Sequence, residues 1–249
     1  MRDNHLHTYF SYDSDTDFRD YLEHYDGEIV TTEHLDLSNP YPYNAGSPHD
    51  DIPDYKSYSR KIAFLNKKYG NRIKKGIEIG YYRPRKKDTL AFLEYKDYDL
   101  KLLSVHHNGK FDYLEAPVLQ LEKMQWIPDY LKELEEAIES IPAHVLAHFD
   151  YGFRKFNVTV EELKNFEPQL RALFQKMIEY NLAFELNCKS MYLYNHEDIY
   201  IYALSLVQEL GGTKYSVGSD AHTLEHFRLN FDRIKQILTE FDIEEGMLL

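Results

Sequence analysis

Two pairs of residues spaced two apart are best suited to metal chemistry in this sequence. His5 and His7 stand in the opening segment DNHLHT, and Asp220 and His222 stand in KYSVGSDAH near the other end. Side chains two apart lie on the same face of an extended strand, so each pair can offer two ligand atoms to one cation. The alternative is that all four are ordinary polar side chains. The choice depends on whether partners from the rest of the chain reach them.

Further potential ligands stand late in other β-rich segments. These are His34 in GEIVTTEH (27–34), Glu78 in IKKGIEIG (73–80), His106 in YDLKLLSVHH (98–107) and His148 in HVLAHFD (144–150). Each of them taken alone is compatible with a polar side chain that has ordinary partners. Together they would bury several titratable groups at the ends of apolar strands, which costs several kcal/mol unless a cation pairs them. We therefore expect a metal site.

The elements that must position these residues alternate along the chain. Strand-like segments are predicted at 3–8, 27–34, 73–80, 98–107, 144–150, 182–187 and 214–222, and helices at 17–25, 55–69, 86–96, 126–140, 167–180, 197–210 and 225–241. This alternation predicts an α/β fold with a mainly parallel sheet covered by helices. In such a fold the carboxyl ends of the strands meet at one face, so remote ligands converge. Periodicity alone leaves an open sheet and a closed one equally possible.

Composition limits the possible functions. The 249 residues suit one domain, 1–249, and the 43% apolar fraction can supply its core. The net charge of −13 comes without a Lys/Arg block, which argues against a nucleic-acid surface. Cys188 is the single cysteine, so we expect no internal disulfide and a cytoplasmic location. No run approaches the ~18 apolar residues of a membrane span.

The segment LSNPYPYNAGSPHDDIPDY (37–55) departs from the alternating pattern. It contains four prolines and few apolar residues. We predict a long loop here, and loops of this length are often functional.

Six motifs in order resemble one known superfamily. HLHTYFSYD, TTEH, GIEIG, SVHH, LAHFD and GSDAH are similar to the polymerase-and-histidinol-phosphatase (PHP) superfamily and, more narrowly, to its bacterial histidinol-phosphate phosphatases. The resemblance runs from residue 3 to about residue 230. It implies a distorted seven-stranded (β/α)7 barrel of TIM type, with a trinuclear metal centre at the carboxyl ends of the strands.

The resemblance also implies three sets of ligands. These are His5, His7, Glu78 and Asp220 for one ion, the bridging Glu78 with His106 and His148 for a second, and Asp13, His34 and His222 for a third. Nitrogen and oxygen donors without thiolate fit Zn²⁺, Mn²⁺ or Fe²⁺. Three carboxylates against three divalent ions leave a local charge of about +3, which would attract a phosphate despite the acidic chain. Asp15 is a weaker candidate than Asp13.

The implied reaction is hydrolysis of L-histidinol phosphate to L-histidinol and phosphate, within histidine biosynthesis. A hydroxide bridging the first two ions, at Glu78, would attack phosphorus. Asp220 or a protonated His222 would donate a proton to the leaving alkoxide. Arg154 matches a phosphate-binding arginine of the family. Lys189 stands where relatives commonly carry a second arginine, a departure that replaces a bidentate fork by a point charge.

The substrate's amino group needs a carboxylate partner. The candidates are Glu33, beside His34, and Asp50, Asp51 and Asp54 of the 37–55 loop. For the three aspartates, a solvated acidic loop without a role in binding is an equally open alternative. If this loop is a lid, deletion of residues 41–53 raises KM much more than it changes metal content.

The other histidines have no predicted metal role. His107 should point away from His106 by strand alternation. We expect surface positions for His24, His49, His144, His196 and His226.

Two other functions stay open at this point. One keeps the metal chemistry but acts on a nucleotide or a 3′-phosphate end. The other is a non-catalytic metal-binding PHP module, against which the complete ligand set argues. The sequence leaves the oligomeric state unknown.

Overall fold

A single sheet forms the centre of the fold in the computed structural model, which describes residues 1–44 and 46–249. Its strands among these residues are β1 (Asp3–Leu6), β2 (Ile29–Asn39), β3 (His49–Asp51), β4 (Ile73–Gly80), β5 (Leu100–Ser104), β6 (Val145–Leu146), β7 (Ala183–Asn187) and β8 (Tyr215–Gly218). All except β3 pair in parallel, in the order β1-β2-β4-β5-β6-β7-β8. β3 pairs antiparallel with the end of β2.

The two edges of this sheet meet. The backbone N–H of His7 donates to the Ala221 carbonyl oxygen at 2.9 Å, and that of Asp220 donates to the His5 carbonyl oxygen at 2.9 Å. These bonds join β1 to the segment that follows β8 and nearly close the sheet into a barrel. The predicted seven-stranded barrel of TIM type is therefore confirmed.

Helices surround the barrel. Within the described residues they are α1 (Phe18–His24), α2 (Tyr55–Tyr69), α3 (Lys86–Leu93), α4 (Lys123–Ser140), α5 (Val160–Leu163), α6 (Glu167–Glu179), α7 (Glu197–Glu209) and α8 (Phe231–Glu240). The predicted helices are confirmed with shifted ends. The last one begins at Phe231 because Asn230 adopts a left-handed conformation, with φ of 52°. Among all these described helices, none has the length and apolar character to cross a membrane.

The 37–55 segment has more regular structure than predicted. β2 continues to Asn39, and the Asn39 side-chain amide donates to Asp51 Oδ2 at 2.7 Å. Asp50 pairs with Arg85, while Asp54 caps α2. Their partners are thus protein groups, and a role for any of these three aspartates in binding the amino group of the substrate stays a prediction. Polar HDD has low β propensity, which explains why β3 was missed.

The barrel interior has an apolar layer near the amino ends of its strands. Val30, Leu102, Val145 and Ala183 form part of one buried cluster, and Leu249 packs against it. Val30 and His34 are four residues apart on β2, so their side chains share a face of the sheet. The polar residues predicted as ligands therefore lie above an apolar floor, towards the carboxyl ends of the strands.

Candidate metal centre

Glu78, near the carboxyl end of β4, lies at the centre of the cluster. Its Oε1 is 2.6 Å from His148 Nε2 and 3.1 Å from His106 Nε2. These histidines follow β6 and β5, so two neighbouring strand ends bring their imidazoles to one carboxylate oxygen. All three side chains are buried.

The other oxygen of Glu78 faces three more imidazoles. Glu78 Oε2 is 3.3 Å from His5 Nε2, 3.4 Å from His7 Nε2 and 3.2 Å from His34 Nδ1. Burial alone would raise the pKa of Glu78, but the surrounding imidazoles, His5 foremost, lower it well below its usual range. Glu78 is therefore an ionised carboxylate and can bridge two cations.

These separations have the size expected between ligands of one ion. Bonds of about 2.1 Å at angles near 90–110° place neighbouring ligand atoms about 3.0–3.4 Å apart. In addition, His5 Nε2 and His7 Nε2 are buried and have no hydrogen-bond partner in the described structure. Buried polar atoms without partners are costly, and a divalent cation would satisfy both. The donor set therefore fits a divalent metal.

Asp220 completes the set around His5 and His7. Its Oδ1 lies 4.0 Å from His5 Nε2 and 3.9 Å from His7 Nε2, and the ligand atoms of all three residues fall within 4.8 Å of one another. Burial would raise the pKa of Asp220, but Lys189 and other nearby positive charges lower it well below its usual range. The carboxylate is thus ionised and ready to bind a cation.

A second group of ligands lies towards the solvent. Asp13 Oδ2 is 3.0 Å from His222 Nε2 and 3.5 Å from His34 Nε2, while the two imidazole nitrogens are 3.4 Å apart. These are the residues that the resemblance assigns to the third ion. The sets overlap, however, because His34 also faces Glu78 through its other nitrogen.

Two carboxylates hold the imidazoles from behind. His5 Nδ1 donates to Glu185 Oε1 at 2.7 Å, and His106 Nδ1 donates to Asp36 Oδ1 at 2.9 Å. With the proton on Nδ1, each Nε2 presents its lone pair to the cluster. His106 Nε2 lies 3.1 Å from Glu78 Oε1, and a cation bound there would replace the proton that otherwise joins these two atoms.

His7 is held in the same way through a hydroxyl group. His7 Nδ1 donates to Ser11 Oγ at 3.1 Å, and Ser11 Oγ donates to Glu33 Oε2 at 2.6 Å. The oxygens of Glu33 also accept two bonds from Thr8, and its side chain is fully buried. This placement corrects the expectation that Glu33 binds substrate, because both of its oxygens accept hydrogen bonds from Ser11 and Thr8 and Glu33 supports His7.

Two glycines leave room for these supporting carboxylates. A Cβ on Gly80 would lie 1.6 Å from Asp36 Oδ1, and a Cβ on Gly218 would lie 2.6 Å from Glu185 Oε1. Both positions therefore require glycine for close approach. This gives a physical reason for the glycines in the motifs GIEIG and GSDAH.

Two positive side chains flank Asp220. Lys189 Nζ is 3.1 Å from Asp220 Oδ1 and 3.1 Å from His222 Nδ1. Arg154 Nη1 is 3.6 Å from Asp220 Oδ2, and its guanidinium is buried with no hydrogen-bond partner on any of its three nitrogens within the described residues. A buried guanidinium with unused donors favours an anionic ligand such as phosphate.

Sequence reasoning missed the environment of one histidine. His196 is buried, with 3% of its surface exposed, and its Nδ1 lies 2.7 Å from Asp150 Oδ2. The prediction of a surface position for His196 is therefore wrong. His107 is also buried, and its ring lies 5.0 Å from that of Tyr82. His24, His49 and His144 are exposed, whereas His226 is half-buried.

The supporting carboxylates Asp36, Glu185 and Asp150 were also missed. A usable signal existed for the first, because Asp36 stands two residues after His34 on the same strand and so shares its face. Glu185 likewise stands late in a predicted strand. Asp150 stands two residues after His148 in the motif LAHFD, but its partners come from distant segments, so the sequence did not show which residues it contacts.

The chain resembles curated histidinol-phosphatases over nearly its full length, although no protein-family model matches it. It is 25% identical over 248 residues to a probable histidinol-phosphatase of Thermotoga maritima, covering 98% of this chain and 94% of that protein. It is 25% identical over 258 residues to the histidinol-phosphatase of Lactococcus lactis, covering 98% and 92%. A probable histidinol-phosphatase of Clostridium acetobutylicum is 25% identical over 244 residues, with 92% and 89% covered.

A solved structure shares the fold. The crystal structure of histidinol phosphate phosphatase from Lactococcus lactis, complexed with zinc, L-histidinol and phosphate, superposes with a TM-score of 0.84 at 21% identity. The superposition covers 98% of this chain and 94% of that one. The likeness supports the barrel architecture independently of the motifs.

Proposed function

We propose that this chain is a metal-dependent phosphomonoesterase that hydrolyses L-histidinol phosphate to L-histidinol and phosphate. The observation that carries the proposal is the cluster itself: five imidazoles surround Glu78, and the guanidinium of Arg154, which makes no hydrogen bond within the described residues, lies beside Asp220. The relatives named histidinol-phosphatase support the choice of substrate, as does the structural neighbour that holds zinc, L-histidinol and phosphate.

We further propose three divalent ions, Zn²⁺, Mn²⁺ or Fe²⁺, held by the sets that the resemblance implies. The ligands are His5, His7, Asp13, His34, Glu78, His106, His148, Asp220 and His222. Such ions supply Lewis acidity, which activates water and neutralises charge on the phosphoryl oxygens.

The protein's own cations orient the phosphate in this proposal. Arg154 offers a fork of donors that matches two phosphate oxygens, whereas Lys189 offers a single charge. Lys189 also contacts both residues predicted as proton donors, Asp220 and His222. Its charge favours the ionised form of Asp220, and burial together with this charge lowers the pKa of His222, so the donor of the proton to the leaving alkoxide stays open between these two residues.

The number of ions is testable at Asp13. Asp13→Ala removes one of the three ligands in the outer group, which consists of Asp13, His34 and His222. The purified variant should therefore contain about one ion fewer per chain. Asp15→Ala is the matched control, since Asp15 is an exposed aspartate two residues away. Metal content measured by inductively coupled plasma mass spectrometry decides the matter. Equal metal content in both variants would contradict the outer site.

A substrate panel tests the function. Protein loaded with Mn²⁺ or Zn²⁺ is assayed for phosphate release from L-histidinol phosphate, nucleoside monophosphates and single-stranded DNA with a 3′-phosphate. We expect a strong preference for L-histidinol phosphate. A preference for nucleotides or DNA ends would favour a phosphoesterase of nucleotides or 3′-phosphate ends, and no hydrolysis of any substrate would favour a non-catalytic module.

A further inference from the structure

Asp150 lies behind the phosphate-binding arginine and is fully buried. Its Oδ1 accepts hydrogen bonds from Ser190 Oγ at 2.8 Å and Tyr200 OH at 2.8 Å. Its Oδ2 accepts from His196 Nδ1 at 2.7 Å and lies 3.8 Å from Arg154 Nε. The carboxylate is thus fixed by three hydrogen bonds, none of which uses the guanidinium.

Arg154 is paired by charge but not by hydrogen bonds. Asp150 lies on its Nε side at 3.8 Å and Asp220 on its Nη1 side at 3.6 Å. The rings of Tyr151 and Tyr194 lie 5.0 Å and 5.3 Å from Cζ. Arginine stays charged when buried, so its burial requires a compensating negative charge. Asp150 supplies that charge at a distance that leaves every N–H of the fork unused.

We propose that Asp150, locked by His196, is a positioning residue that keeps the donors of Arg154 free for a phosphate group. The inference rests on the proposed function only in taking phosphate as the ligand. Without the charge of Asp150, the nearest carboxylate to the guanidinium is Asp220. A bidentate pair with Asp220 would then occupy the N–H donors of Arg154 that phosphate needs.

The direction in which loss of Asp150 changes phosphate affinity distinguishes a positioning role from a purely electrostatic one. Loss of a negative charge near an anion site would, by Coulomb's law alone, tighten phosphate binding. Loss of positioning weakens it, because phosphate must first displace Asp220 from Arg154. A charge-assisted hydrogen bond is worth about 1.5–3 kcal/mol, which corresponds to roughly 10- to 100-fold in affinity. We therefore expect Asp150→Asn to bind inorganic phosphate at least about tenfold more weakly.

A double-mutant cycle with Arg154 tests this assignment. Isothermal titration calorimetry measures inorganic phosphate binding to metal-loaded wild type, Asp150→Asn, Arg154→Met and the double variant, with metal content checked in each. The weakening caused by Asp150→Asn should disappear when Arg154 is already methionine. Tyr200→Phe is the matched control, because it removes one bond to Oδ1 but keeps the charge beside Arg154. It should change the phosphate Kd by less than about twofold.

The outcomes of this binding test are distinct from those of the substrate panel that tests the proposed function. Unchanged or tighter phosphate binding in Asp150→Asn would overturn the inference, even in a protein that hydrolyses L-histidinol phosphate. Weaker binding that depends on Arg154 would support it, even if the true substrate is another phosphomonoester. If Asp150→Asn is too unstable to assay, the double variant with Arg154→Met should recover Tm, because it removes a buried charge for which only Asp220 would remain as a partner. Failure to restore Tm would count against the inference.

Discussion

Glu185 offers the sharpest single test of how the metal ligands are held. Its Oε1 accepts from His5 Nδ1 at 2.7 Å, and its Oε2 accepts from the His148 backbone N–H at 2.8 Å and from Asn187 Nδ2 at 3.1 Å. Three donors therefore converge on one carboxylate. Glu185→Gln keeps the size of the side chain but replaces one acceptor by an NH₂ group, which has no lone pair to offer.

Either orientation of the glutamine side chain disrupts one of the interactions that Glu185 makes. If its oxygen faces His5, the NH₂ group faces the His148 N–H, and an unpaired buried donor costs about 1–3 kcal/mol. If its nitrogen faces His5, the imidazole must move its proton to Nε2 and lose the lone pair that binds a cation. Loss of such a supporting group typically lowers metal affinity about 10- to 100-fold, or about 1.4–2.7 kcal/mol.

Competition with a chromophoric chelator measures the affinity directly. Glu161→Gln, at an exposed glutamate of α5, is the control and should leave affinity unchanged. We expect Glu185→Gln to release its most weakly held ion at a chelator concentration at which wild type and control keep theirs. If the three proteins titrate within about twofold of one another, Glu185 does not orient His5 for metal binding.

Two further predictions follow from close contacts and from burial. Gly80→Ala places a methyl group against Asp36 Oδ1, so the Asp36 carboxylate must move away from His106. We therefore expect kcat/KM to fall by at least about tenfold. An unchanged kcat/KM would show that the position does not require glycine. Burial raises the pKa of Glu133, so between its ordinary value near 4.5 and the raised value the native state binds more protons than the unfolded chain. Stability of wild type relative to Glu133→Gln should therefore fall as pH rises from 4 to 8, and a pH-independent difference in Tm would contradict this sign.

The sequence identified the ligand-bearing strand ends because parallel strands impose a simple rule. Glu78 stands near the carboxyl end of β4, and strand pairing brings His34 of the neighbouring β2 into register with it. Their convergence therefore needs no knowledge of loop conformation. Whether the sheet closes was not predictable from periodicity, since closure depends on the contact between β1 and the segment after β8.

The supporting interactions were harder to predict because they depend on side-chain direction. Asp150 and His196 are 46 residues apart in sequence, and no local pattern connects them. Glu33 stands next to a ligand in sequence but points to Ser11 and Thr8, because neighbouring residues on a strand face opposite sides. Proximity in sequence was therefore misleading for Glu33, whereas spacing of two residues would have been informative for Asp36.

The cluster around Glu78 is, in the proposed function, a metal-dependent catalytic site for L-histidinol phosphate. The most direct test measures phosphate release from this substrate by chelator-treated protein before and after addition of Zn²⁺ or Mn²⁺, for wild type and Glu78→Ala. We predict that metal restores wild-type activity and that Glu78→Ala stays at least about 100-fold lower, because it lacks the carboxylate shared by five imidazoles. Near-native turnover of Glu78→Ala, or activity that survives complete metal removal, would contradict a metal-dependent site at Glu78.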